Sequence, residues 1–352
     1  MWRETMTSSE RMGAVMRGEK PDRVPVMPFI FGHTALVCGQ PLASVFDDAH
    51  ESFRCQTLCQ EMYGYDGGPL YAYASAGGWE FGGDIEFPYK KYSGAPVVTR
   101  RPVQSEEDAL ALEVPQDITG AGALPIALEL ARLQAAHGMP VTLQVGSPFT
   151  FAGSVIGEER MMLWILKKPE LVHRVLDKVA EFAIKVAEHY AAEFGAENLT
   201  AFHGAATESN RLISPKQFES FALPYYKKIN ERVMALGVSS FFIHICGEQN
   251  KNLQYWQQVP VPKRSILSFG RQVPLQTAME MFPEQIIAGN VDPTLIQEGR
   301  AEDVLEQARE CIEIAKHHPG GYVLMAGCDV PPQAPPVNVF QLVKAAREFG
   351  RY

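Results

Sequence analysis

The chain has 352 residues, 46% hydrophobic and 21% charged, enough for one large α/β domain or two modest ones. Its 32 basic and 41 acidic residues give a formal charge of −9, which argues against nonspecific nucleic-acid binding, since that relies on neutralising phosphates. No window reaches the roughly 18 to 20 apolar residues of a membrane span, and Met1-Trp2-Arg3-Glu4-Thr5 begins no apolar leader. A cytoplasmic protein is expected, with its six cysteines serving as thiols or ligands and not as a disulfide framework.

Thr7-Ser8-Ser9-Glu10 has capping-box spacing and predicts a first helix, with Met12, Val15 and Met16 in its apolar stripe and an end near Gly18. Val24-Pro25-Val26-Met27-Pro28-Phe29-Ile30 reads as an extended segment whose prolines place it at an edge or strand end. Residues 49–63 read as a helix. Residues 63–92 are irregular and rich in Gly and aromatics (Tyr63, Tyr65, Tyr71, Tyr73, Trp79, Phe81, Phe87, Tyr89, Tyr92), which suits either a functional lid or packing for an N-terminal extension.

Beyond that run strands and helices alternate. Strands are predicted at 141–145, 198–203, 238–245, 265–269, 286–290 and 322–326. Helices are predicted at 158–166, 169–194, 215–236, 250–258, 275–282, 301–317 and 336–349. Alternation at this spacing makes βα units, and the strand count and length favour a (β/α)8 TIM barrel with an N-terminal helical and irregular extension, one domain over 1–352. Neither G-x-G-x-x-G after a strand nor a Walker motif nor G-x-S-x-G is present, so dinucleotide binding and serine-hydrolase chemistry have no support.

The most informative residues are His244-Ile245-Cys246 and the distant Cys328 in Gly327-Cys328-Asp329. Residues i and i+2 of a strand share a face, so His244 and Cys246 can grip one ion, and a closed barrel brings Cys328 beside them. Gly247 and Gly327 place both thiols where strand gives way to loop, where barrels carry their chemistry. One imidazole and two thiolates suit Zn²⁺ with an open fourth position.

Other polar residues carry weaker signals. His203 at a strand end and Glu208 in the loop after it are candidates for substrate binding or proton transfer, against a solvated or core-satisfied role. Asn290 and Asp292 fit capping or loop bracing; Cys55 and Cys59, i and i+4 near His50, fit buried packing. Cys38 and Cys311 have no supporting context, and His317-His318 sits at a helix C-terminus.

Ile243-His244-Ile245-Cys246-Gly247, Gly289-Asn290-Val291-Asp292-Pro293 and Gly327-Cys328-Asp329-Val330-Pro331-Pro332 with Pro335-Pro336-Val337-Asn338 resemble the uroporphyrinogen decarboxylase superfamily. Arg11 to Gly18 and Arg23-Val24-Pro25-Val26 resemble its opening, so the likeness runs over nearly the whole chain. Within the superfamily it is closer to the cobalamin-dependent methyltransferases, typified by methylcobalamin:coenzyme M methyltransferases. The porphyrinogen decarboxylases carry an arginine motif just after the first strand, where this chain has Met27-Pro28-Phe29-Ile30-Phe31-Gly32-His33.

That resemblance implies a zinc ion on His244, Cys246 and Cys328, and a cobalamin (corrinoid) carried by a partner protein, with a small-molecule methyl donor or acceptor. Transfer in either direction fits the chemistry. The aromatic run favours O-demethylation of a methoxylated aromatic, with transfer from a methyl-corrinoid to a zinc-activated thiol such as coenzyme M as the alternative. A decarboxylase-like lyase and a noncatalytic corrinoid or tetrapyrrole binder remain as readings from other classes.

Overall fold

The computed structural model describes residues 4–73, 75–89 and 94–352; Met1 to Arg3 and Tyr92 of the aromatic run lie outside them. Two short antiparallel strands, β1 (Asp84–Glu86) and β2 (Val97–Arg100), form a hairpin separate from the main sheet. The main sheet is β3 (Val141–Gln144), β4 (Leu199–Ala205), β5 (Ser240–Ile245), β6 (Ile266–Phe269), β7 (Ile286–Val291) and β8 (Tyr322–Ala326). These six pair in chain order and all are parallel. Every residue of β6, β7 and β8 is buried, as expected of strands covered on both faces.

Two irregular segments complete the ring. Val26 bridges Leu324 in parallel, Met27 N–H donates to the Leu324 carbonyl (3.0 Å) and Leu324 N–H to that of Pro25 (2.8 Å). On the other side, Asp66 N–H donates to the Val26 carbonyl at 2.6 Å. Gln134 then spans the last gap, donating through Nε2 to the Pro69 carbonyl (2.8 Å) and accepting from Thr142 N–H of β3 (3.0 Å). Pro25 and Pro28 lack the N–H that a regular ladder needs, so the first barrel position is held by isolated bonds. The fold is the (β/α)8 barrel.

Register sorts the inward side chains into rows. Thr142, Thr200 and Ser240 are paired neighbours in the lowest row; Gln144, Phe202, Phe242 and Ile266 form the next, and His244 and Ser268 the one above. The N-terminal helix Ser8–Arg17 carries the capping box read from the sequence and ends at Gly18 with φ 81°, a left-handed conformation that suits glycine. Residues 215–236 form two helices, Pro215–Phe221 and Leu223–Ala235, because Pro224 lacks an N–H for the preceding turn and so begins a new helix. The helix predicted over 250–258 is confined to Leu253–Trp256.

The aromatic run is packing in the described residues. Tyr63, Tyr65, Tyr71 and Tyr73 are buried, and their hydroxyls are satisfied by His33, the Gln56 carbonyl, the Phe46 carbonyl and Glu80 respectively. Trp79 and Phe87 meet edge to face at 5.8 Å, and Tyr89 is exposed. No helix among the described residues is long and apolar enough to cross a membrane.

Candidate metal centre

β5 delivers His244 and, one residue beyond its end, Cys246; the turn after β8 delivers Cys328. One ligand atom from each of the three lies within 4.8 Å of the others. The two sulfurs are 3.6 Å apart, close to the roughly 3.8 Å between thiolates in a tetrahedral zinc site with 2.3 Å bonds. Among the described residues no other group of three His, Cys, Asp or Glu side chains meets this geometry.

The imidazole is aimed by its neighbours. Ser268 Oγ on β6 lies 2.8 Å from His244 Nδ1, and the Phe29 ring stacks on the imidazole at 5.0 Å. With the proton on Nδ1 donated to Ser268, Nε2 turns its lone pair inward, and this buried atom has no hydrogen-bond partner. A buried nitrogen without a partner beside two sulfurs is the pattern an ion would satisfy. Replacing Ser268 with Ala frees the ring to turn, and zinc affinity is expected to fall roughly 10- to 100-fold while the fold is retained. Competition with a chromophoric chelator reads this out.

The thiols share a proton unequally. The shared hydrogen bond with Cys246, then the nearby His244 ring and the backbone N–H of Asp329, hold the Cys328 thiol below its ordinary value. The same shared hydrogen bond, with burial, pushes Cys246 up. The pair therefore supplies one thiolate readily, and a cation would displace the remaining proton.

Asp329 and Ser268 were not singled out by the sequence, although Asp329 directly follows a ligand. Burial, with Cys328 next to it, pushes the Asp329 carboxyl well up, and its Oδ1 has no partner. Gln249 and Asn252, both buried, brace the loop after β5: Gln249 Nε2 donates to the Cys246 carbonyl (3.0 Å), and Asn252 Nδ2 to Gln249 Oε1 (3.0 Å) and the Glu208 carbonyl (2.9 Å).

The structure departs from a catalytic role for His203. This residue is fully buried, with Nδ1 2.5 Å from the Gly146 carbonyl and Nε2 2.7 Å from Asn230 Oδ1. Burial holds its imidazole down at about 4, and neither ring nitrogen is left for a substrate. It ties β4 to the end of β3 and to the helix Leu223–Ala235.

Glu208 is also fully buried. Its carboxylate accepts from Ser147 Oγ, Thr150 Oγ1 (2.9 Å), Tyr226 Oη (3.0 Å) and Thr207 N–H (3.0 Å). Burial raises its pKa, and the three hydroxyl donors oppose that shift. Asn290 and Asp292 brace as expected: Asn290 Nδ2 donates to the Val273 carbonyl at 2.8 Å, and Asp292 caps the helix Pro293–Glu298. Cys55 and Cys59 are buried packing, with pKa values pushed up to about 12 by burial.

The sequence pattern of the family described as "Uroporphyrinogen decarboxylase (URO-D)" matches residues 7–349. The chain belongs to the URO-D family. Among curated relatives of this URO-D protein, methylcobamide:CoM methyltransferase MtbA of Methanosarcina acetivorans is 25% identical over 97% of this chain and 98% of its own length. A uroporphyrinogen decarboxylase of Anaeromyxobacter sp. is 28% identical over 74% of this chain and 73% of its own. A solved methyltransferase from Methanosarcina mazei superposes with a TM-score of 0.81 at 25% identity, covering 98% of this chain and 99% of that one. Both branches of the family are thus similar in sequence, and the residues at the site must separate them.

Proposed function

We propose that this URO-D family protein is a corrinoid-dependent zinc methyltransferase, passing a methyl group from the cobalt of a corrinoid on a partner protein to the sulfur of a small thiol. The single observation that carries the reading is the buried, partnerless His244 Nε2 facing two thiols 3.6 Å apart. His244, Cys246 and Cys328 would hold the metal. Bound there, zinc would supply a Lewis acid that keeps a thiol deprotonated at neutral pH.

The chain's own residues prepare that site. Ser268 and Phe29 fix the imidazole from two sides, and Gln249 fixes the backbone that carries Cys246. The Glu208 cluster ties together the loops after β3 and β4 through Ser147, Thr150 and Tyr226, so we assign Glu208 to positioning rather than to proton transfer. Asp329, with an unpartnered carboxylate oxygen beside Cys328, is the better placed acid.

The thiol direction is favoured over O-demethylation of a methoxylated aromatic for two reasons. Full-length relatives of this chain are named methylcobamide:CoM methyltransferases. The buried tyrosines that suggested a ring-stacking surface have their hydroxyls turned into the protein. The lyase reading is disfavoured because the stretch from Met27 to His33 has no arginine to clamp a carboxylate. Incubating the zinc-loaded protein with methylcob(III)alamin and coenzyme M is expected to yield the methyl thioether. Turnover of a methoxyarene with cob(I)alamin, and none with the thiol, would reverse the direction.

A further inference from the structure

A cavity opens where β3, β4 and β5 begin, while the metal ligands stand where β5 and β8 end. It measures about 840 Å³, within the range of small-molecule sites, and opens between the N-terminal helix, residues 65–70 and the start of β3 and β4. Its cause is legible in the inward rows. Where TIM barrels place Val, Ile or Leu, this barrel's lowest row has Thr142, Thr200 and Ser240, too short to fill the floor. All three are only half-buried although they belong to the inward row.

We propose that this floor is a second small-molecule site, for an uncharged, ring-sized aromatic compound bearing one hydrogen-bonding group. Its lining includes Phe29, Phe202 and Phe242 and the methionines Met12 and Met16. Flat rings pack well between aromatic faces and polarisable sulfur. The Thr200 and Ser240 hydroxyls, 3.1 Å apart, offer the polar anchor. Among the described lining residues there is no Lys or Arg to meet an anion; the acidic ones are Asp66, paired with Arg11 and Arg23, Glu193, paired with Arg132, and Glu197, so a neutral ligand is favoured. None of His244, Cys246 and Cys328 lines the cavity, although Phe29, which does, also stacks on His244.

The test uses two probes of similar size on the full, zinc-loaded chain: 4-bromobenzyl alcohol, which is neutral, and 4-bromobenzoate, which is anionic. Calorimetry is expected to show the alcohol binding at least about tenfold more tightly than the benzoate. Crystals with the alcohol are expected to show bromine between Phe242 and Met12. Ser240→Leu, which fills the floor, should weaken the alcohol at least about tenfold with zinc content unchanged. If that variant does not fold, Met12→Trp, which narrows the funnel from its helical side, serves the same purpose. Equal binding of the two probes, an effect of neither variant, bromine at the metal centre, or a bromine peak without binding in solution would each overturn the proposal. Because zinc content is read separately, this outcome is independent of the metal assignment.

Discussion

Replacing Cys328 with Ala is expected to leave a folded barrel that retains no stoichiometric zinc and loses methyl transfer by on the order of 10³-fold or more, beyond the 10- to 100-fold typical of residues that only support a metal ligand. The reason is local. Cys328 supplies the only one of the three donors that comes from outside the His244–Cys246 segment, and the hydrogen bond it shares with Cys246 favours a thiolate in the pair. Without it, His244 and Cys246 at the end of β5 remain as a two-donor site, which is insufficient for a tetrahedral zinc centre. Cys246→Ala is expected to behave alike. Elemental analysis after anaerobic purification checks the metal, circular dichroism the fold, and methyl transfer to coenzyme M the activity. Unchanged zinc in either variant would remove that cysteine from the ligand set.

Asp66→Ala is the substitution expected to cost the most stability. Asp66 is fully buried and accepts from Arg11 Nη1 at 2.6 Å, Arg23 Nη1 at 2.7 Å and Val26 N–H at 2.8 Å. Its removal leaves two buried guanidinium groups short of a partner and loosens the join between the first two barrel segments. The expected loss is about 3–5 kcal/mol, and thermal unfolding should fall by roughly 5–10 °C. The same cluster predicts acid sensitivity. Burial alone would raise the Asp22 carboxyl, but hydrogen bonds from Arg11 and from the backbone of Thr5 and Met6 hold it down to about 2, against an ordinary 3.8. A depressed carboxyl stabilises fully above its unfolded value, so this contribution is present above about pH 4 and is lost as pH falls towards 2. Denaturant titrations at stepped pH read the loss directly, and a stability independent of pH over that window would contradict it.

The sheet was legible where residue pattern and backbone agree. β3 to β8 are short apolar runs closed by Gly or polar residues, and all six were found close to their observed bounds. The first barrel position reads as an extended segment over 24–30 without strand bounds and the second does not read as a strand at all, because Pro25, Pro28 and the Gly67-Gly68-Pro69 turn suppress the ladder that defines one. The helix Pro148–Ile156 was hidden for a different reason: every residue in it is buried, so it shows no amphipathic stripe. For residues 63–92 composition left a lid and packing equally open, and only the hydroxyl partners decide for packing. The metal ligands were readable because a two-residue strand spacing and two flanking glycines carry geometric meaning in one dimension. Ser268, Phe29 and the hollow floor depend on register between strands far apart in sequence, which one chain read alone does not reveal.

Zinc K-edge X-ray absorption on the protein as purified tests the metal centre most directly. Two sulfur scatterers at about 2.3 Å and one imidazole nitrogen at about 2.0 Å are predicted, with one sulfur lost in Cys246→Ala or Cys328→Ala if either variant retains any metal. A zinc shell of oxygen and nitrogen alone, or a protein that takes up no zinc at all, would contradict the assignment of His244, Cys246 and Cys328.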